Sequence, residues 1–444
     1  MTISELRNSL PDGPMRLSNA QVPAALVTTE SQAVLVNEDD LALVDIDIRD
    51  GMITAIGPAG GDLQQASDQA DTIIVVDLDH GQVWPCYVDC HTHLDKSHIG
   101  GRTRNPDGTL SGAIRTERHD QEQQWSEDDL HKRMEFALRC AYAHGTRAIR
   151  THLCSGGSLR ERTWTVFCDL RSKWLDRIDL QAVPILEIND CRGDAGTRLA
   201  NFVAERSGVL GCAIMGPDQP RLPALLDHLM ALATERSLAL DFHADENGDP
   251  DSHALREIAL AATRNNFNDN ILVGHCCSLA IQAPDEIDAT LELVANTSIS
   301  IVSLPLTNMY LQDRSPDSTP RWRGITCLRE LAQRNIAVAF ASDNCRDLFN
   351  VFGDYDLHQV FSSAVLTGQL DLDIGQWPAA VNRTPARIMG VQHATCIEVG
   401  TPADLILFAE RSFGELVSRS AADRVVLRNG RPIDANLPDY RDLD

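Results

Sequence analysis

Five residues that could bind a metal ion or carry a proton lie at the ends of apolar runs in this sequence. His91 and His93 end the first run, and both imidazoles would face one side because alternate residues of a β-strand point to the same face. Two surface histidines would give the same pattern, so this pair alone decides nothing. Further runs end in His243, His275 and Asp343, however. Their recurrence at separate strand ends predicts one shared site.

A mononuclear metal site is the chemistry that this set of residues predicts. Three neutral imidazoles and one carboxylate suit zinc or iron and leave one position open for water, whose pKa then falls to about 7. The predicted ligands are His91, His93, His243 and Asp343. The fourth apolar run, 209–216, contains neither a Lys nor a Glu that could bridge a second ion. We therefore expect one divalent metal ion, zinc or iron, in each chain.

Two further residues are expected to move protons at this metal. Glu246 follows His243 by three residues and could take a proton from the metal-bound water and deliver it to a leaving group. The alternative for Glu246 is a solvated loop residue. His275 would hydrogen-bond the attacking water or the developing oxyanion, and Asp343 would help to hold the tetrahedral intermediate. The alternative for His275 is a fourth imidazole ligand.

These residues need a scaffold that brings several strand ends together. Between about residues 83 and 394, short apolar runs alternate with longer amphipathic stretches, which is the pattern of βα units with a parallel sheet. The eight predicted strands lie near 83–91, 146–153, 180–187, 208–214, 237–243, 270–275, 298–303 and 337–343. The helix after the first strand is predicted to begin at Ser126, its N-cap. Eight such units predict an α/β protein with a (β/α)₈ TIM-type barrel, whose active site lies at the C-terminal strand ends.

The two ends of the chain have a different texture. From residue 24 to about 83, short β-rich runs are broken by Gly and Asp, which are hairpin signals. The same texture returns only at 403–408 and 424–430. Both ends therefore predict strands of one small antiparallel unit.

Composition excludes several classes of partner. The 444-residue chain has 39 Lys plus Arg and 64 Asp plus Glu, a net charge of −25, so phosphate backbones and anionic bilayers would repel it. We expect no nucleic acid and no membrane partner, and a homo-oligomer stays open. The first eleven residues lack a signal-like apolar run, so a cytoplasmic location is expected. The 12 cysteines include no CxxC pair and are expected to be reduced, buried thiols.

The motifs around these residues resemble those of the amidohydrolase superfamily, and within it the bacterial cytosine deaminases. The resemblance spans nearly the whole chain. It rests on Pro85-x-x-Val-Asp-x-His91-Thr-His93-Leu-Asp95, His243-Ala-Asp245-Glu246, Gly274-His275, 306–314 with Arg323-Gly-Ile-Thr, Ser342-Asp343 and Gly400-Thr-Pro-Ala-Asp404. It implies the same metal ligands and proton carriers as the residues themselves. It also implies a small β-sandwich, 1–82 plus 395–444, beside a catalytic barrel, 83–394.

Departures from the cytosine deaminase pattern bear on the substrate. The resemblance implies a Gln after strand three and a second acidic residue after the metal Asp, where this chain has Ile185 and Asn344. Both residues are therefore expected to contact a ring other than cytosine. Cytosine itself should be a poor substrate. The runs 95–97 and 342–347 are more similar to the N-isopropylammelide amidohydrolase branch. That branch, however, lacks the His-x-x-Glu that begins here at His243.

Three further residues are candidate substrate contacts. Lys96 follows the first strand in a Gly-rich loop and could meet a polar ring, although charged loop residues are usually only solvated. Asn308, after strand seven, would line the pocket wall. Phe349 could supply an apolar face for a flat ring.

The sequence therefore predicts a metal-dependent deaminase that converts an exocyclic amino group of a cytosine-like or related amino-heterocycle into a carbonyl and releases ammonia. Such an enzyme is a hydrolase of carbon–nitrogen bonds in cyclic amidines. A first alternative is removal of an alkylamine from an s-triazine ring, or opening of a cyclic amide. A second is a non-catalytic scaffold of the same fold, which the convergent ligand set argues against.

Overall fold

The computed structural model describes residues 1–7, 13–28, 34–61, 73–216, 220–391, 396–419 and 423–444. The strands are β1 (Met15–Pro23), β2 (Leu35–Val36), β3 (Leu41–Arg49), β4 (Met52–Pro58), β5 (Ile74–Asp77), β6 (Val83–Pro85), β7 (Tyr87–Thr92), β8 (Thr146–Cys154), β9 (Asp179–Ile185), β10 (Leu210–Ile214), β11 (Leu240–Ala244), β12 (Ile271–His275), β13 (Ile299–Ser303), β14 (Val338–Phe340), β15 (Leu405–Phe408), β16 (Arg424–Arg428) and β17 (Arg431–Pro432). The helices are α1 (Ile3–Arg7), α2 (Leu110–Gln124), α3 (Glu127–Ala143), α4 (Leu159–Lys173), α5 (Gly193–Glu205), α6 (Leu222–Arg236), α7 (Ala254–Arg264), α8 (Pro284–Ala295), α9 (Pro305–Leu311), α10 (Leu328–Gln333), α11 (Leu357–Gly368), α12 (Arg383–Met389) and α13 (Phe413–Ser418). Strands and helices alternate from β7 to β14, as the sequence predicts.

The chain divides into two compact units. The first contains Met1–Val88, Arg139–Ala148 and Asp356–Asp439. The second contains Asp89–Leu138, Ile149–Tyr355 and Tyr440–Asp444. The predicted boundary at 394/395 lies outside the described residues, and the predicted domain limits stay a prediction.

The first unit contains two sheets with a common apolar core. One sheet has the order β2-β3-β1-β5, with β4 also paired to β3, and the other has the order β17-β16-β15-β6. Alternate residues of β3, such as Val44 and Ile46, lie in one buried cluster with Leu405 and Leu407 of β15. The period of two arises because successive side chains of a strand point to opposite faces. This arrangement agrees with the predicted small β-sandwich.

The second unit carries the barrel strands. Strands β10 to β14 pair in parallel in chain order, and β7, β8 and β9 form a separate three-stranded sheet. Two isolated parallel bridges connect these sheets, one between Thr92 and Asp343 and one between Glu187 and Ala213. The eight strands therefore follow one another in the cyclic order of a (β/α)₈ barrel, which confirms the predicted fold class.

The start of the barrel differs from the sequence prediction. The predicted first strand, 83–91, is two strands, of which β6 pairs with β15 and β7 belongs to the barrel. A continuous apolar run carries no signal of which sheet receives its hydrogen bonds, so the break after Pro85 is invisible in the sequence.

The segment before Ser126 also differs, because it contains a helix that the sequence did not predict. Thr109 caps α2, its Oγ1 accepting a hydrogen bond from Gly112 N at 2.9 Å. Two of the four buried residues of α2 are the carboxylates Glu117 and Asp120, so the helix lacks an apolar stripe. Helix α3 begins at Glu127, one residue after its predicted cap.

The described residues bear on two expectations from the sequence, the absence of a membrane partner and the state of the cysteines. None of the helices in the described ranges combines the length and the apolar character that crossing a membrane requires. The cysteines are all free, and all but Cys168 and Cys396 are buried. The cysteine pattern agrees with the predicted reduced thiols.

Candidate active site

The predicted site residues converge at the carboxyl ends of the barrel strands. His91 lies in β7 and His93 follows it, while His243 lies in β11 and His275 ends β12. Asp343 follows β14, and its backbone N–H donates to the carbonyl oxygen of His91 at 2.9 Å. The parallel pairing of neighbouring strands thus brings residues from distant parts of the chain to one point.

The donor atoms of the four predicted ligands lie at distances that suit one ion. Asp343 Oδ1 is 3.1 Å from His93 Nε2 and 3.5 Å from His91 Nε2. His243 Nε2 is 3.3 Å from His93 Nε2. Ligand atoms that each lie ~2.0–2.1 Å from a tetrahedral ion are about 3.4 Å from one another. These residues therefore fit one divalent ion, although their assignment as ligands stays a prediction.

The imidazoles are in the protonation state that a metal requires. Burial, reinforced by neighbouring positive charge, lowers the pKa of His91, His93 and His243 well below the usual 6.5, so all three are neutral at pH 7. Both ring nitrogens of His91 are buried without a hydrogen-bond partner in the described part of the chain. Buried polar atoms are normally satisfied, and a metal ion would satisfy Nε2. The buried His and Asp group therefore implies a divalent metal ion.

His152, near the carboxyl end of β8, packs against this histidine cluster. Its Nε2 lies 3.0 Å from Asp241 Oδ1, and its Nδ1 lies 3.4 Å from the carbonyl oxygen of Thr92. Asp241 also accepts a hydrogen bond from Arg150 at 3.0 Å. The His152 ring packs against His91 with centroids 4.1 Å apart. Since both its nitrogens are engaged, His152 is placed to hold the His91 ring, although its nitrogen lies close enough to the others to count as a further candidate ligand.

Glu246 and His275 face each other across the site. Glu246 Oε1 lies 3.6 Å from His275 Nδ1, and only 13% of the Glu246 side chain is exposed. Glu246 is therefore not a solvated loop residue. Asn308 Nδ2 lies 3.0 Å from the same His275 nitrogen and is placed to donate to it. His275 could also serve with His91 and Asp343 as a metal ligand, so that alternative stays open.

Burial sets the protonation of these two residues in opposite directions. Burial, with the nearby Asp343 carboxylate, raises the pKa of Glu246 to about 8. Burial lowers the pKa of His275 to about 4, so its ring is neutral at pH 7. His275 and Asp343 also have positive φ angles, 68° and 61°, a backbone conformation that is uncommon for non-glycine residues.

A cavity of about 610 Å³ opens beside the cluster, entirely within the second unit. It is lined by His93, His243, Glu246, His275 and Asp343, and by four of the five predicted substrate contacts, namely Lys96, Ile185, Asn344 and Phe349. Asn344 Nδ2 is engaged by Asp347 Oδ2 at 2.6 Å. Asn308 lies behind His275 and is absent from the cavity lining, so it orients His275 rather than facing the cavity.

Sequence reasoning missed Glu117, which also lines the cavity. It lies on α2, is 5% exposed, and its Oε1 is 3.5 Å from Lys96 Nζ. The signal that could have found α2 is the cap at Thr109. No local signal places Glu117 beside Lys96, because the two meet only after α2 folds back onto the strand end.

Relatives of this chain agree with the fold. The model of the amidohydrolase family matches residues 193–433, more than half of the chain. The chain belongs to the amidohydrolase family. This amidohydrolase is 45% identical over 430 residues to the pterin deaminase of Rhizobium rhizogenes, which covers 96% of this chain and 95% of that protein. It is 23% identical over 376 residues to the N-isopropylammelide isopropyl amidohydrolase of a Pseudomonas species, covering 81% of this chain and 87% of that protein.

A solved structure shares the fold of this amidohydrolase. The 5-methylcytosine deaminase of Klebsiella pneumoniae, liganded with 5-fluorocytosine, has a TM-score of 0.78 and 22% identity, covering 96% of this chain and 98% of that chain. At this identity the similarity concerns the fold alone. The predicted superfamily and its barrel architecture are both confirmed.

Proposed function

We propose that this amidohydrolase is a pterin deaminase, which hydrolyses the 2-amino group of a 2-amino-4-oxopteridine ring to a carbonyl and releases ammonia. The observation that carries the proposal is the 45% identity to a pterin deaminase along 96% of the chain. The deamination of an amino-heterocycle by a metal-dependent hydrolase, predicted from the sequence, is the same chemistry. A substrate other than cytosine is in line with the departures of Ile185 and Asn344 from the cytosine deaminase pattern.

The proposal includes one divalent ion per chain, zinc or iron, held by the four predicted ligands. When bound, such an ion lowers the pKa of water so that hydroxide is available near pH 7. Elemental analysis of purified protein should find about one zinc or iron per chain, because the site lacks a bridging ligand. His243→Ala should lose the metal and the activity, whereas His228→Ala, on α6, should keep both. Two tightly held ions per chain would contradict the mononuclear site.

Glu246 is the residue that transfers protons in this proposal. It takes a proton from the attacking water, whose oxygen forms a bond to C2 of the ring while the C2–N π bond opens. The same carboxyl then gives this proton to the ring nitrogen. It next moves the proton of the new C2 hydroxyl group to the amino group, so that the bond from C2 to the amino nitrogen breaks, ammonia departs and the C2 carbonyl forms. A pKa of about 8 suits both directions of transfer near neutral pH.

His275 stabilises the oxygen on C2. Asn308 donates to Nδ1, so the ring hydrogen lies on Nε2, which is buried and lacks a partner among the described residues. Because the pKa of His275 is about 4, its ring is a neutral imidazole near pH 7, and the N–H of a neutral imidazole can donate this hydrogen bond without transferring its proton. His275 thus holds the oxygen while Glu246 moves the protons.

The cavity suits a small planar ring. Its volume of about 610 Å³ is within the range of small-molecule sites, and Phe349 and Ile185 give it apolar walls. We expect the substrate to be a free small heterocycle. A homo-oligomeric state and a cytoplasmic location stay predictions from the sequence.

A single substrate panel tests the proposal. Metal-loaded protein should release ammonia from pterin with kcat/KM above about 10⁴ M⁻¹s⁻¹, the lower range of ordinary enzymes, and should treat cytosine below that value. Guanine and N-isopropylammelide complete the panel, since release of isopropylamine would favour the triazine alternative. Efficient turnover of cytosine in place of pterin would refute the proposal, and a protein with neither metal nor activity would favour the scaffold.

A further inference from the structure

Lys96 and Glu117 form a charged pair in the wall of the cavity. Lys96 is 6% exposed and Glu117 5% exposed, yet both line the cavity. Lys96 Nζ also lies over the Phe349 ring, 4.4 Å from its centroid. Glu117 Oε1 lies 3.7 Å from Cys154 Sγ. The pair thus adjoins the flat apolar wall against which a planar ring would lie.

The geometry of this pair differs from that of structural ion pairs in the same protein. Lys96 Nζ and Glu117 Oε1 are 3.5 Å apart, longer than a charge-assisted hydrogen bond. The buried pairs Arg424–Asp356 and Arg150–Asp241 are closed to 2.6 and 3.0 Å. An ammonium has three donors and a carboxylate about four acceptor positions, so a loose pair retains unused hydrogen-bonding capacity. Buried charges with unused capacity are costly unless another partner completes them.

Lys96 keeps its charge despite burial. Burial opposes the charged form, but Glu117, with smaller contributions from Asp95 and Asp347, outweighs it and raises the pKa of Lys96 above its usual value. The wall of the cavity therefore presents a permanent donor beside an acceptor. These two groups face the cavity into which Glu246 and His275 also project.

We propose that Lys96 and Glu117 together recognise the lactam edge of the substrate, with Lys96 donating to the ring carbonyl and Glu117 accepting from the adjacent ring N–H. The inference rests on the proposed pterin deaminase function. In pterin the C4 carbonyl and N3–H are neighbours and lie next to C2, which carries the amino group. N5 lies beside the carbonyl oxygen, and a cationic side chain reads the same pairing of O6 and N7 in guanine. A donor next to an acceptor in the wall matches an acceptor next to a donor in the ring.

The N3–H contact is tested with 3-methylpterin, in which a methyl group replaces that hydrogen while the 2-amino and 4-oxo groups remain. Wild-type protein should prefer pterin by at least about 10²-fold in kcat/KM, because the methyl group leaves the carboxylate without its partner. Glu117→Ala should lower kcat/KM for pterin by about 10- to 100-fold, mainly through KM. It should also reduce the preference for pterin over 3-methylpterin to about threefold or less in kcat/KM. The reason is that the substitution removes both the acceptor for N3–H and the side chain that obstructs the methyl group. Lys96→Met should raise KM for pterin by about 10- to 100-fold, as expected for Glu117→Ala.

Asp120→Asn is the matched control. Asp120 lies one turn further along α2, is 6% exposed and pairs with Arg102 at 2.8 Å, but does not line the cavity. If the Lys96–Glu117 pair only anchored α2, Asp120→Asn and Glu117→Ala would behave alike, with the substrate ratio unchanged. Metal content and circular dichroism check folding, and Glu117→Gln serves if the alanine variant does not fold, with a lower substrate ratio again expected.

The outcomes separate the two proposals. Metal-loaded wild-type protein that releases no ammonia from pterin would overturn the proposed function and this inference with it. Wild-type protein that deaminates pterin but accepts 3-methylpterin equally well would overturn the inference alone. The same holds if folded Glu117 variants keep the wild-type ratio, or if Lys96→Met leaves KM unchanged.

Discussion

At the scale of single residues, burial makes the candidate site work. Burial raises the pKa of Glu246 to about 8. Burial also lowers the pKa of the four histidines of the site and so keeps them neutral, namely His91, His93, His243 and His275. A neutral imidazole can bind a metal or donate a hydrogen bond, and a carboxyl group that titrates near pH 8 can both take and return a proton. The environment thus divides the roles between residue types.

Glu246→Gln tests the proton-transfer role. The amide has nearly the same shape but cannot carry a proton, so the variant should keep its metal and fold while kcat falls by at least about 10²-fold. Steady-state kinetics and elemental analysis measure the two effects. Asp251→Asn, an exposed change in the same loop, should leave both unchanged. Full activity of Glu246→Gln would make Glu246 a bystander and turn attention to Asp245.

At the scale of elements, the site depends on how closely β12 approaches β7. A Cβ added at Gly274 would lie 2.9 Å from His91 Cε1 and 3.3 Å from His91 Nδ1. Both distances are below ordinary van der Waals contact. Glycine at this position therefore leaves the room that the His91 ring occupies.

Gly274→Ala should displace the His91 ring and lower metal affinity by about 10-fold or more, the usual effect of disturbing the support of a ligand. Competition with a chelator measures the affinity, and activity should recover in excess metal. Gly101→Ala is the control, because a Cβ there meets nothing within 4 Å. Unchanged affinity in Gly274→Ala would show that His91 is not held in this position for the metal.

Helix α2 shows how far element prediction reaches. Helix α3 was predicted to within one residue because Ser126 caps it and an apolar pattern follows. Helix α2 was missed because its inward face carries carboxylates, which local rules assign to solvent. Glu117 faces inward because its charge is paired with that of Lys96. Lys96 follows β7 and does not lie on α2, so the pattern of the helix alone does not reveal the pair.

At the scale of the whole molecule, buried histidines couple stability to pH. His98 is 8% exposed and packs edge-on against Phe136 at 4.8 Å. Its ring nitrogens lack hydrogen-bond partners among the described residues. Burial, with the charge of Arg346, lowers its pKa to about 3. Because the unfolded chain binds the proton near pH 6.5, this contribution to stability is complete above pH 6.5 and is lost as the pH falls towards 3.

His98→Asn should flatten this dependence. Asn tolerates the positive φ of 64° at this position but cannot titrate. Between about pH 6 and 4 the free energy of unfolding of the wild type should fall more steeply than that of the variant, by up to about 1.4 kcal/mol per pH unit. Urea unfolding at several pH values measures the slopes. The metal-site histidines act in the same direction in both proteins, so parallel slopes would contradict the assignment to His98.

The sequence by itself determined the parts of this protein that depend on local pattern. Alternation of apolar runs and amphipathic stretches was enough for the barrel, since strand and helix periods are local properties. The strand-end positions of His91, His243 and Asp343 followed from those runs. The predicted strands agree with β8 to β14 to within a few residues.

Only the tertiary structure decided which residues share an environment. It placed Asn308 behind His275, engaged His152 with Asp241, and brought Glu117 from an unforeseen helix to Lys96. Each of these contacts joins residues far apart in the chain. Their energies come from burial and from paired charges, which exist only after the chain has folded and have no periodic signature in the sequence.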